Sequence, residues 1–261
     1  MLKARVIPTL LWKQFGLVKG IGFDSWRRVG PVLPAVRVYN QREVDELILV
    51  DIMAHQTADE PDYESIDEFG QDCFVPLTVG GGIRDIEQVQ KLLRSGADKV
   101  CVNTAAYDDP KLISDIAKRH GTQCVVVSID VRFISSMRKW ECFSHAGSES
   151  TGREVTEWAR EMEGRGAGEL LITSIERDGT FQGYDLELVE AVVNAVNVPV
   201  IASGGAGNYQ HMIDAIKKAG ASAVAGASIF HFTEQTPAGA KAAMEAAGIP
   251  VRQGFKESST G

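Results

Sequence analysis

A glycine-rich turn that occurs twice limits what this chain can fold into more than any other feature. Val79-Gly80-Gly81-Gly82-Ile83-Arg84 follows the apolar run Phe74 to Leu77, and Ala202-Ser203-Gly204-Gly205-Ala206-Gly207 follows Val198 to Ile201. Each reads as a buried strand that runs into a tight turn and then a helix. Glycines in such a turn let the backbone come close to an anion, and the free N–H groups of the helix start point at the same anion. The segments Ala97 to Ala105 and Ala221 to Ile229 are matched in the same way. They lie 124 positions apart, as the loops do. The chain therefore reads as one half-unit written twice, each half ending in a phosphate cradle. Gly81, Gly82, Asn103 and Thr104 are the expected contacts in the first half, and Gly204, Gly205, Ala227 and Ser228 in the second.

Eight apolar runs space the chain regularly: Ala4 to Leu11, Leu47 to Met53, Phe74 to Val79, Lys99 to Val102, Cys124 to Val131, Glu169 to Ile175, Val198 to Ala202 and Ala223 to Ala227. They do not alternate with polar residues, as expected of parallel strands covered on both faces. Helical periodicity fills the intervals, for example Ile86 to Ser95, Leu186 to Val196 and Tyr209 to Ala219. This alternation predicts an α/β fold, a (β/α)8 TIM barrel built from two similar half-barrels, with active groups on the loops at the carboxyl ends of the strands. Residues 1–252 are expected to form that one barrel, and 253–261 a disordered polar tail. A polar loop is expected through Lys19-Gly20, and a hairpin within Phe133 to Gly152. Pro34 falls where the first helix should already be under way.

The net charge of −8 argues against a nucleic-acid or anionic membrane surface. With no long apolar run and no cleavable leader, the expectation is a cytoplasmic protein. Cys73, Cys101, Cys124 and Cys142 have no metal-ligand spacing and read as reduced thiols. His55, His120, His145, His211 and His231 form no constellation: His55 reads as a solvent-facing loop residue and the others as residues of loops and helix ends. No metal and no cofactor are expected.

Along nearly its whole length the chain resembles the cyclase (HisF) family of imidazole glycerol phosphate synthase. The motifs that carry the resemblance include Arg5-Val6-Ile7-Pro8, Val18-Lys19-Gly20, Asp45-Glu46-Leu47, Thr78 to Ile83 and Val102-Asn103-Thr104-Ala105. In the second half they include Ser128-Ile129-Asp130, Thr173-Ser174-Ile175, Arg177-Asp178-Gly179-Thr180, Gly183-Tyr184-Asp185 and Ile201 to Gly207. The resemblance implies two phosphate sites facing each other across the barrel top, with Gly179 joining the second. It also implies a HisH-type glutaminase docked on the bottom, giving a heterodimer, with ammonia passing through the barrel. Arg5, Glu46, Lys99 and Glu169 match the ring of charges at the family's ammonia gate, and Asp98 a residue facing the glutaminase. Each of the four begins an apolar strand, where two positive and two negative charges can neutralise one another; a purely structural ring is the other reading.

The family's acid–base pair is incomplete. Asp130 matches one of its two aspartates, but Leu11 stands at the position of the other, and a leucine transfers no proton. The leading expectation is a HisF-like subunit of a glutamine amidotransferase/lyase complex that conducts ammonia but has lost cyclisation. Its own enzymatic activity is then in question. Such paralogues resemble the synthase subunit of acetamidino-sugar pathways, where ammonia passes to a separate ATP-dependent sugar amidotransferase for surface-glycan and lipopolysaccharide biosynthesis. One alternative is a genuine cyclase of histidine biosynthesis, with another acid such as Asp24 standing in. A further alternative is a non-catalytic scaffold that activates the glutaminase. In each case the expected ligand is a phosphorylated small molecule.

Overall fold

The computed structural model describes residues 3–13, 16–54 and 60–252. Eight parallel strands close into a barrel in the order β1 (Arg5–Lys13), β4 (Leu47–Asp51), β5 (Leu77–Gly80), β6 (Lys99–Val102), β7 (Val125–Ile134), β10 (Glu169–Ser174), β11 (Val200–Ser203) and β12 (Ala223–Gly226). Pairing of β12 with β1 and of β7 with β10 leaves no free edge in the ring. The fold is the (β/α)8 barrel that the apolar runs predict. The expected tail 253–261, like Gln14, Phe15 and His55, lies outside the described residues.

Strict alternation along the strands sorts their side chains into two cores. Val6, Leu10, Leu47, Leu49, Val100 and Leu170 face the helices. Ile7, Ile48, Cys101, Val126, Leu171, Ile201, Ala223 and Ala225 fill the barrel interior. The interior layer is narrow and mostly aliphatic, which separates a charged floor from a polar top.

The outer shell comprises α1 (Val32–Gln41), α2 (Tyr63–Gln71), α3 (Ile86–Arg94), α5 (Lys111–His120), α6 (Val155–Arg165), α7 (Leu186–Val193), α8 (Tyr209–Lys217) and α10 (Pro237–Ala246). Two short helices, α4 (Thr104–Asp108) and α9 (Ser228–His231), begin at the tops of β6 and β12. Local chemistry sets the helix starts. Asp85 accepts from the Gln88 amide at 2.8 Å, and Asn208 from the His211 amide at 2.9 Å, capping α3 and α8 at matching points of the two halves. Pro34 does not delay α1. It is the third helical residue, in the first turn, where an amide has no intrahelical partner to lose.

Two further departures from expectation concern strand ends. The run Phe74 to Val79 enters the sheet only at Leu77, and Phe74 is 83% exposed on the approach to β5. The stretch around Lys19-Gly20 is not a loop but a pair of antiparallel strands, β2 (Gly16–Ile21) and β3 (Asp24–Gly30), that continues β1. Its counterpart in the second half is the expected hairpin, β8 (Lys139–Ser144) and β9 (Glu149–Glu154), which continues β7. The two extensions meet above the barrel mouth. A Cβ built on Gly147 would stand 3.0 Å from Phe23 Cδ2 and 3.1 Å from Ile175 Cδ1.

Candidate functional site

At the carboxyl ends of the strands lies a cavity of about 290 Å³, lined by residues of all eight barrel strands or the loops that follow them. Both glycine turns open into it. Gly81 and Gly205 take nearly the same left-handed backbone, with φ of 104° and 105°. A Cβ would lie 2.2 Å from the Asp51 carbonyl oxygen at the first and 2.2 Å from that of Gly183 at the second, so only glycine fits either place. Gly82, Asn103 and Thr104 face the cavity beside the first turn, and Gly179, Gly204, Ala227 and Ser228 beside the second. The structure thus brings together every residue expected to contact phosphate.

Asp130 lies buried between the two cradles, where Asn103 Nδ2 donates to its Oδ2 at 2.9 Å. Burial is the main force on its carboxyl and the nearby Asp178 carboxylate adds to it. Together they push its pKa up to about 7 against hydrogen bonds from Ser128 and Thr173. An acid tuned to that value can take or give a proton at neutral pH. Ile7 and Val126 share the aliphatic layer of the interior. Four residues further along their strands come Leu11 and Asp130, so Leu11 occupies the layer of the cavity opposite Asp130 and offers it only methyl groups.

Asp24 does not stand in for the missing acid. It is exposed on β3, outside the cavity, and its carboxylate accepts from the Ser25 amide. The nearer acid is Asp178, which lines the cavity in a buried ion pair with Lys19. Burial raises the Asp178 carboxyl pKa, with Lys19 opposing the shift. Lys19 comes from β2, the segment expected to be a loop, so the strand conformation holds this pair in place.

Phe23, Trp26 and His145 also line the cavity, and none was anticipated as a site residue. His145 belongs to the turn between β8 and β9, and its amide donates to Thr104 Oγ1 at 3.0 Å. The hairpin within Phe133 to Gly152 was expected. What the sequence does not reveal is that its turn folds back over the top of β6.

The floor is closed by four charges. Arg5 Nη1 donates to Glu46 at 2.8 Å and to Glu169 at 2.9 Å, and Lys99 Nζ donates to each glutamate at 3.0 Å. Cations and anions alternate in a closed cycle, and their side chains are between 5% and 14% exposed. Burial opposes the charge of Glu46, but Arg5 and Lys99 outweigh it and hold its carboxyl below the usual range. Arg5 is the converse case: burial would lower its pKa, and Glu169 and Glu46 raise it. Asp98 is exposed on the same end of the barrel, where its carboxylate accepts from the Leu77 amide at 2.8 Å.

The family model described as histidine biosynthesis protein matches residues 5–236. The imidazole glycerol phosphate synthase subunit HisF of Hyphomonas neptunium is 48% identical over 252 residues, which cover 97% of this chain and 99% of that protein.

Proposed function

Since the chain belongs to the HisF family of histidine biosynthesis proteins, we propose that it is the synthase subunit of a glutamine amidotransferase, receiving ammonia at the barrel floor and using it at the top. The observation that carries this reading is the closed ring of Arg5, Glu46, Lys99 and Glu169 at one end of the barrel, with a phosphate-suited cavity at the other. A ring so fully paired excludes ions, and a small neutral molecule such as ammonia can pass it when one link opens. The partner is a HisH-type glutaminase docked on the floor side, where Asp98 is exposed. Two cradles across one cavity suit a ligand phosphorylated at both ends.

Kinship over the full length favours the imidazole-forming cyclisation of histidine biosynthesis, with Asp130 as the proton-transfer group. Leu11 favours a second reading, in which cyclisation is lost. The subunit then passes ammonia to a separate ATP-dependent sugar amidotransferase for acetamidino-sugar synthesis. A coupled assay separates them: the chain and its glutaminase are supplied with glutamine and the histidine-pathway ribonucleotide, and glutamate and imidazole product are followed independently. Imidazole product at a rate matching glutamate supports the cyclase. Glutamate without imidazole product supports the second reading. A glutaminase that neither binds the chain nor is activated by it would sink both.

A further inference from the structure

The charges around the cavity do not balance for an anionic ligand. Among the described residues, four carboxylates line it, Asp51, Asp108, Asp130 and Asp178, against two cations, Lys19 and Arg84. Lys19 is committed to Asp178, and Arg84 Nη2 donates to the Ala54 carbonyl at 3.2 Å. A phosphate dianion therefore meets no excess of positive charge among the described lining residues. His145 is the one further lining side chain among the described residues that can become cationic.

Its surroundings fix it for that task. The backbone at His145 and Ala146 is left-handed, with φ of 50° and 54°, a costly conformation for residues other than glycine. The turn is held by the bond from the His145 amide to Thr104. Because the Thr104 hydroxyl oxygen accepts that bond, its own proton stays available to a ligand. Nδ1 of the imidazole lies 3.0 Å from Ser144 Oγ and 3.3 Å from the Glu149 carboxylate. Nε2 has no partner among the described residues.

We infer that His145 is a ligand-contacting residue of the first cradle, its Nε2 donating to a phosphoryl oxygen seated beside Gly82, Asn103 and Thr104. The inference rests on the phosphate reading of the cavity proposed above and adds the group that selects an anion there. The second cradle has no such imidazole among the residues that line it, so the two sites differ in how they hold charge.

The test is titration of inorganic phosphate into the full chain, followed through the backbone amide signals of Gly82 and Gly205, which report the two cradles separately. His145→Ala is expected to weaken the affinity read at Gly82 about tenfold, in the range of a lost charge-assisted hydrogen bond, and to leave the Gly205 site unchanged. His145→Gln, which keeps a neutral donor of similar length, is expected to recover part of that loss and supplies the result if the alanine variant does not fold. Equal Gly82 affinities in wild type and both variants would overturn the inference. So would a parallel loss at both cradles, which is the mark of a structural role. A wild-type chain that binds phosphate at neither cradle defeats the phosphate reading itself, and this inference with it.

Discussion

Asp130 is held where it is least stable as an anion. Its pKa of about 7 in the folded chain is above the ordinary aspartate value, so the folded state binds the proton more tightly than the unfolded one. The sign follows. Stability contributed by this group is complete below the unfolded value, declines as pH rises through the window from about 4 to 7, and levels off above it. Asp130→Asn keeps the shape and stays neutral, so it is expected to stabilise the protein at pH 8 by about 1–4 kcal/mol, with little effect near pH 4. Thermal melts at the two pH values check this, and an equal effect at both would contradict the assignment. The same variant is expected to abolish any cyclase turnover. Restoring the missing partner with Leu11→Asp is expected to recover little, because the new carboxyl would lie in a cavity already lined by Asp130 and Asp178. A rate gain of more than about a hundredfold, the scale of one general acid or base, would show that Leu11 is the sole defect.

The turns carry more constraint than the strands they join. Gly205→Ala forces a Cβ to within 2.2 Å of a carbonyl oxygen at φ of 105°, and is expected to cost more than about 2 kcal/mol. Gly164, inside α6, has open space at its Cβ position and an ordinary backbone. Gly164→Ala is expected to stabilise by about 0.5–1 kcal/mol, through lost unfolded-state entropy. Urea midpoints of the two variants should move in opposite directions. The same contrast explains what the sequence made legible. Val100 or Leu170 announces a barrel strand because both faces of that strand are covered, and Gly81 announces a tight turn because no other residue fits. The β2–β3 extension gave no such signal. Trp26, Arg27 and Arg28 are polar or amphipathic and half or fully exposed, and their strand conformation comes from pairing with β2, not from a buried face. His145 escaped for a related reason, since its place depends on a long-range contact with Thr104.

On the scale of the whole molecule, the thin aliphatic layer of the barrel interior lies between floor and mouth. Lys99→Ala removes one cation from the ring and leaves Arg5 facing both glutamates. A loss of roughly 3 kcal/mol is expected, the low end for breaking a buried ion pair, and the chain should stay folded. If the ring gates ammonia, glutamine hydrolysis by the bound glutaminase should then continue while product made from glutamine falls and product made from ammonium salts persists. An unchanged ratio of product to glutamate in the folded variant would make the ring a structural clasp and nothing more.

The two hairpin extensions continue β1 and β7, which lie opposite each other in the barrel, and the two cradles lie at β5–β6 and β11–β12, also opposite. Hairpins and cradles therefore alternate at about quarter-turns around the mouth. A long ligand with a phosphate at each end can span the cradles along one diameter only, but the repeat by itself would accept it either way round. That ambiguity is the inheritance of a duplicated fold, and only residues that break the repeat can remove it. Asp130 faces Leu11, Asn103-Thr104 faces Ala227-Ser228, and His145 leans over one cradle alone. If a ligand phosphorylated at both ends binds here, its head is told from its tail where the two halves have ceased to be copies.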